Sequence, residues 1–137
     1  MKVLIDTNCL LVAIPRKSPY RWLYDAMKQG LFTLAFTNEI LAEYEEQIGV
    51  FYSPSVAENV LKTLVNIPKL EKVEVYFKWN LITVDFDDNK FVDCAIACNA
   101  DYIITHDKHF RILTQIDFPK VNCITINEFK EALYPSS

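Results

Sequence analysis

The chain has 137 residues, 51% of them hydrophobic, with only two glycines and a formal net charge of −4. That apolar content excludes a disordered polymer, and no apolar run approaches the ~20 residues of a membrane-spanning helix. An acidic chain does not coat nucleic acid by charge alone, although it is compatible with an acidic site that gathers divalent cations.

Taken in order, Lys2–Ile5 reads as a buried strand that stops at Asp6, Thr7 and Asn8. Trp22, Leu23, Ala26 and Met27 recur at helical spacing within Tyr20–Gln29, and Gly30 fits the position just past a helix end. Leu31–Phe36 is a short β-rich run. Thr37 and Asn38 offer a cap to a helix over Glu39–Ile48, which Gly49 closes. Ser53–Lys78 reads as helical with a break at Pro68, and its stripe is Val56, Val60, Leu61, Leu64 and Val65. Leu81–Val84 is expected as the third strand, Lys90–Asn99 as a helix, Tyr102–Thr105 as the fourth strand and Asn122–Ile126 as the fifth. A short helix over Asn127–Leu133 follows.

Short apolar strands alternating with helices predict a parallel sheet covered on both faces. The expected architecture is a three-layer α/β/α sandwich with a central, mainly parallel five-stranded sheet, one domain over residues 1–137. The start of the chain lacks the basic, apolar and small-residue pattern of a secretory leader, so a cytoplasmic location is expected. Cys9, Cys94, Cys98 and Cys123 show no CxxC spacing and read as small core side chains. His106 and His109 form an HxxH that, even with Cys98, matches no standard zinc spacing.

The acids are the informative residues. Asp6 follows the first strand and Asp107 the fourth, in "YIITHD". Parallel strands end on the same sheet edge, so these two are expected neighbours. Asp88 sits where "DFDDN" enters a helix that begins at that edge, and Glu43 lies one turn into the helix after the second strand. Singly, each has an ordinary reading as a turn, cap or solvated residue. Together they crowd like charges, which raise one another's pKa. A hard divalent ion resolves that crowding, keeps waters of its own, and offers open positions to phosphate oxygens.

"LIDTN", "EILAEYEEQI" and "DDNKFVDCAIACNADYIITHDKHF", in this order and at these separations, resemble a PIN domain across essentially the whole chain. Within that family they resemble the toxin components of toxin–antitoxin pairs. The resemblance places the first acid on Asp6 with Asn8 as its polar companion, and the second on Glu43. The third falls on Asp88, and the fourth on Asp107 with Thr105 in support. It implies a Mg²⁺- or Mn²⁺-dependent endoribonuclease in which Asp6, Asp88 and Asp107 hold one or two ions. Glu43 completes the cluster, directly or through a water, and cleavage leaves 5′-phosphate and 3′-hydroxyl ends. Asp93 is a further candidate ligand. Five helical residues turn its direction by roughly 140° from that of Asp88, so Asp88 is preferred.

Arg16 and Lys17, with Arg21 nearby, and Lys108 beside His109 and Arg111 are candidate contacts for RNA phosphates. Ordinary surface charge explains each of them equally well. The resemblance also implies an antitoxin partner and a homodimer, with the Tyr20–Arg21–Trp22 and Tyr44 segments as candidate contributors although the sequence shows no interface; no membrane partner is expected. The reading from another class is a non-catalytic PIN-like module that binds RNA or a protein, and the presence of all four acids argues against it. A receiver-like domain lacks its acidic pair here, a nucleotide-binding module its glycine loop, and a serine or cysteine hydrolase its nucleophile–base pair.

Overall fold

The computed structural model describes residues 1–135, except the side chain of Phe86. Five strands form one all-parallel sheet: β1 (Lys2–Ile5), β2 (Thr33–Phe36), β3 (Leu70–Lys72), β4 (Tyr102–Ile104) and β5 (Cys123–Ile124). Among the described residues the helices are α1 (Thr7–Ala13), α2 (Arg21–Lys28), α3 (Asn38–Phe51), α4 (Pro54–Leu64), α5 (Asn89–Cys98) and α6 (Ile126–Leu133). The expected α/β architecture is what forms.

The strand order is β3-β2-β1-β4-β5. The chain therefore winds outward on one side of β1 through β2 and β3, then returns to build β4 and β5 on the other side. Open sheets of this kind open a crevice at the carboxyl ends of the two strands where the direction reverses, here β1 and β4. Ile5 lies beside Ile104 in the register, so Asp6 and Thr105 leave the sheet side by side. Val3, Leu4, Ile5, Ile103 and Ile104 are all at most 1% exposed, which explains why these strands read as unbroken apolar runs.

Four sequence expectations are corrected. The third strand is Leu70–Lys72, not Leu81–Val84. β3 is an edge strand whose Glu71 meets the Lys2 ammonium at 3.0 Å, and two charges in three residues hide it from an apolar pattern. In Leu81–Val84 the ladder is replaced by one side chain. Asn89 accepts the Ile82 N–H at 2.9 Å and donates to the Ile82 carbonyl at 2.8 Å, while Val84 is exposed.

The helical reading of Ser53–Lys78 holds only over Pro54–Leu64, where the Ser53 hydroxyl accepts the Val56 N–H. Past it, the chain turns through Pro68 toward β3. Finally, α3 runs through Gly49 to Phe51, and Tyr44 is buried rather than available to an interface, its hydroxyl donating to the Ile5 carbonyl. The short helix α1 is not legible as a helix in the sequence. Cys9, Leu10, Leu11 and Ala13 are buried, and the exposed face pairs Asn8 with the apolar Val12, so no polar period is visible.

Candidate metal centre

Two aspartates stand at helix N-cap positions without doing the work of a cap. The Asp6 carbonyl accepts the N–H groups of Cys9 and Leu10, which starts α1, but its carboxylate caps nothing. Asp88 begins α5 and likewise caps nothing. A capping side chain is typically worth ~1 kcal/mol, and both residues forgo it. Asp107, by contrast, accepts the His109 N–H at 2.9 Å and opens the 3₁₀ segment Lys108–Gln115.

The Asp6 carboxylate turns instead across the strand ends. Its Oδ2 accepts the Thr105 hydroxyl at 2.8 Å, and the same Thr105 oxygen accepts the Asp107 N–H at 3.0 Å. Thr105 thus ties the two strand-end acids together. Asp6 is 6% exposed, and burial pushes its pKa up; the Thr105 bond opposes that rise, while the charges of Asp107 and Glu43 add to it. Burial likewise pushes Asp88 up to about 6, reinforced by Asp107, Asp85 and Asp6. Asp6 thus stands within the field of Asp107 and Glu43, and Asp88 within that of Asp107, Asp85 and Asp6.

Glu43 approaches Thr7, the neighbour of Asp6, from α3 and is engaged at both oxygens. Oε2 accepts the Thr7 hydroxyl, and Oε1 meets the Lys90 ammonium at 2.6 Å. Lys90 is itself 8% exposed at the side chain and also donates to the Asp87 carbonyl at 2.8 Å. Neither Thr7 nor Lys90 stands out in the sequence, because a lysine on a polar helix start and a threonine after an acid are common.

Asp93 is not brought into this cluster. Its Oδ1 accepts the Trp79 N–H at 3.0 Å, and the charges that act on it are Lys78 and Glu39. Asn8 is exposed and, with Asp6, Tyr20, His106 and Asp107, lines a crevice of about 240 Å³. Arg16 and Lys17 are exposed in the loop between α1 and α2, and Lys108 is exposed beside Asp107. A larger apolar groove of about 790 Å³ lies between α3 and α4, lined by Val50, Ala57, Leu61 and Val65, and holds none of the clustered acids.

The donor set fits a divalent cation. Asp88 is 9% exposed, yet among the described residues its Oδ2 accepts no short hydrogen bond, and the His109 Nδ1 atom 3.5 Å away is likewise shut off from solvent and without one. A buried carboxylate oxygen without a donor is costly unless a cation satisfies it. Among the described residues, Asp85, Asp88 and His109 bring one ligand atom each to within 4.8 Å of one another. The sequence offers His109 only in an HxxH without standard zinc spacing and Asp85 only as one acid of "DFDDN"; the signal for both is their position, two residues after Asp107 and three before Asp88.

No curated protein matches the chain. Among solved structures, it is similar to one described as the crystal structure of VapBC2 from Rickettsia felis bound to a DNA fragment from their promoter. The TM-score is 0.63 at 18% identity, over 91% of this chain and 98% of that one, a likeness of fold. The family model described as PIN domain matches residues 2–109, a stretch that begins at β1 and includes all four clustered acids. The chain belongs to the PIN domain family.

Proposed function

We propose that the protein is a divalent-metal-dependent endoribonuclease acting as the toxin of a toxin–antitoxin pair, with Mg²⁺ or Mn²⁺ as cofactor and RNA as substrate. One observation carries this reading. Four segments remote in sequence carry Asp6, Glu43, Asp88 and Asp107; the charges of Asp107 and Glu43 act on Asp6, those of Asp107 and Asp6 act on Asp88, and an oxygen of Asp88 is left unpartnered among the described residues. Family membership supports the same chemistry, and the resemblance of the motifs to toxin components supports an antitoxin partner. A homodimer and a cytoplasmic location belong to the same proposal.

In this reading Asp6, Asp88 and Asp107 would hold the ion, which when bound supplies an acidified water and neutralises charge on the scissile phosphate. Thr105 keeps Asp6 and Asp107 at a fixed separation by bonding to both. Glu43, clamped by Thr7 and Lys90, contributes negative charge from the α3 side of the crevice. Asn8 presents an exposed amide at the crevice mouth, able to donate to a phosphate or a base. Arg16, Lys17 and Lys108 offer cations to the flanking phosphates, which draws a polyanion to a protein that is acidic overall.

The test is cleavage of a labelled single-stranded RNA by the wild type and by Asp6→Asn, each with Mg²⁺, Mn²⁺ or EDTA. Cutting that needs metal and vanishes in the variant supports the reading. Cutting unchanged by Asp6→Asn places the activity elsewhere. If wild type neither cuts nor binds Mn²⁺, the protein is a non-catalytic PIN-like module.

A further inference from the structure

We propose that His109 and Asp85 are direct ligands of the bound cation together with Asp88, and that the imidazole nitrogen makes this centre favour Mn²⁺ over Mg²⁺. The inference rests on the metal-dependent reading above and specifies which ion the site takes.

Three observations converge on it. The first is proximity: ligand atoms of Asp85, Asp88 and His109 lie within 4.8 Å of one another. The second is the pair of orphaned atoms. Asp88 Oδ2 and His109 Nδ1 are shut off from solvent and, among the described residues, have no hydrogen-bond partner of ordinary length; they face each other at 3.5 Å, where a protonated imidazole would lower the Asp88 pKa as an ion-pair partner. Two donors each about 2.1 Å from an ion and about 90–110° apart around it stand roughly 3.0–3.4 Å from one another. The observed separation is a few tenths of an ångström from that value.

The third observation is that both flanking residues are held in place by backbone bonds that leave donors free. The His109 backbone N–H is bonded to Asp107 Oδ1 at 2.9 Å, which orients the residue through its backbone and leaves Nδ1 without a short hydrogen bond. Asp85 accepts the Asp87 N–H at Oδ1 and the Asp88 N–H at its carbonyl, so the turn holds it beside Asp88 and leaves Oδ2 available. Asp107 Oδ1 also lies 3.4 Å from His109 Nδ1, so the imidazole sits between two carboxylates. Mg²⁺ strongly prefers oxygen donors and retains its waters, whereas imidazole suits first-row transition ions. One imidazole added to a carboxylate site therefore gives it affinity for Mn²⁺ that Mg²⁺ does not share.

The experiment is Mn²⁺ titration of the full chain by electron paramagnetic resonance, followed by spin-echo modulation to detect ¹⁴N coupled to the bound ion. Wild type is expected to show directly bonded imidazole nitrogen. His109→Gln should lose that coupling and weaken Mn²⁺ binding at least about tenfold, with Mg²⁺ affinity, measured by competition, changing less than about twofold. Asp85→Asn should weaken Mn²⁺ binding while keeping the nitrogen signal, which separates a ligand role from misfolding. Bound Mn²⁺ without nitrogen coupling in the wild type overturns the inference and makes His109 a plain ion bridge between Asp88 and Asp107; the metal-dependent reading survives if Asp6→Asn abolishes that binding. If the wild type binds no Mn²⁺, both readings fall together.

Discussion

Replacing Lys90 by methionine removes the ammonium clamped on Glu43 while keeping an unbranched apolar stem in the same space. The Lys90–Glu43 contact is 2.6 Å with side chains 8% and 25% exposed, so it lies between the two limits for ion pairs. Breaking a fully buried pair costs about 3–5 kcal/mol, whereas an exposed pair is worth ~0.2–1 kcal/mol. Glu43 keeps the Thr7 hydroxyl and some access to water, so a loss of about 1.5–3 kcal/mol is expected. At roughly 4 °C per kcal/mol for a chain of this length, the melting temperature should fall by about 6–12 °C. Urea unfolding in EDTA, followed by tryptophan fluorescence, measures it. Two further results follow from the same geometry. Glu43→Gln added to Lys90→Met should recover most of the loss, because no unpaired charge is left behind. Mg²⁺ should stabilise Lys90→Met more than wild type, since a free Glu43 can then serve the cation. A loss below about 0.5 kcal/mol, or a double variant no more stable than the single one, would refute this account of the clamp.

The remaining predictions concern the acids and the loop beside them. Because Asp88 rises from an ordinary 3.8 to about 6 on folding, its contribution is fully present below pH 4 and is lost as pH rises through about 6. In EDTA, wild type should therefore lose about 1–2 kcal/mol relative to Asp88→Asn between pH 4 and pH 7, the full shift being worth roughly 3 kcal/mol before solvent screening. Identical pH profiles for the two proteins would contradict it. Thr105→Val keeps the shape but strips Asp6 Oδ2 of its donor and the Asp107 N–H of its acceptor, at a cost of about 2–3 kcal/mol. It should also weaken Mn²⁺ binding about tenfold, and calorimetry showing unchanged affinity would remove Thr105 from the site. Asn89→Ala leaves the Ile82 N–H and C=O without partners, so stability should fall by about 2–4 kcal/mol, and the Ile82 amide should exchange with deuterium faster. Unchanged protection at Ile82 would show that the loop is held by something else.

What the sequence determined by itself is the frame of the site. β1 and β4 are continuous apolar runs because both sheet faces are covered there, and each run ends next to an acid or to the turn that carries one. That signal is local: burial dictates the residues of the strand, and its end marks the sheet edge. The capping residues Thr37 and Ser53 were legible for the same reason, since a hydroxyl three residues before a free backbone N–H is a short-range arrangement.

The tertiary structure alone decided the rest. The choice of Leu70–Lys72 over Leu81–Val84 as the third strand depends on a partner, β2, that is more than 30 positions away, and on Asn89 satisfying Ile82 in place of a neighbouring strand. Helical phase could separate Asp93 from Asp88, but only packing shows that Asp93 faces Trp79 and Lys78. The clamp of Thr7 and Lys90 on Glu43, and the approach of His109 to Asp88, each join segments that local pattern treats as independent. Pattern records which side of an element is buried. Which charged groups then meet depends on long-range contacts between elements, and those form only when the sheet order brings the strand ends together.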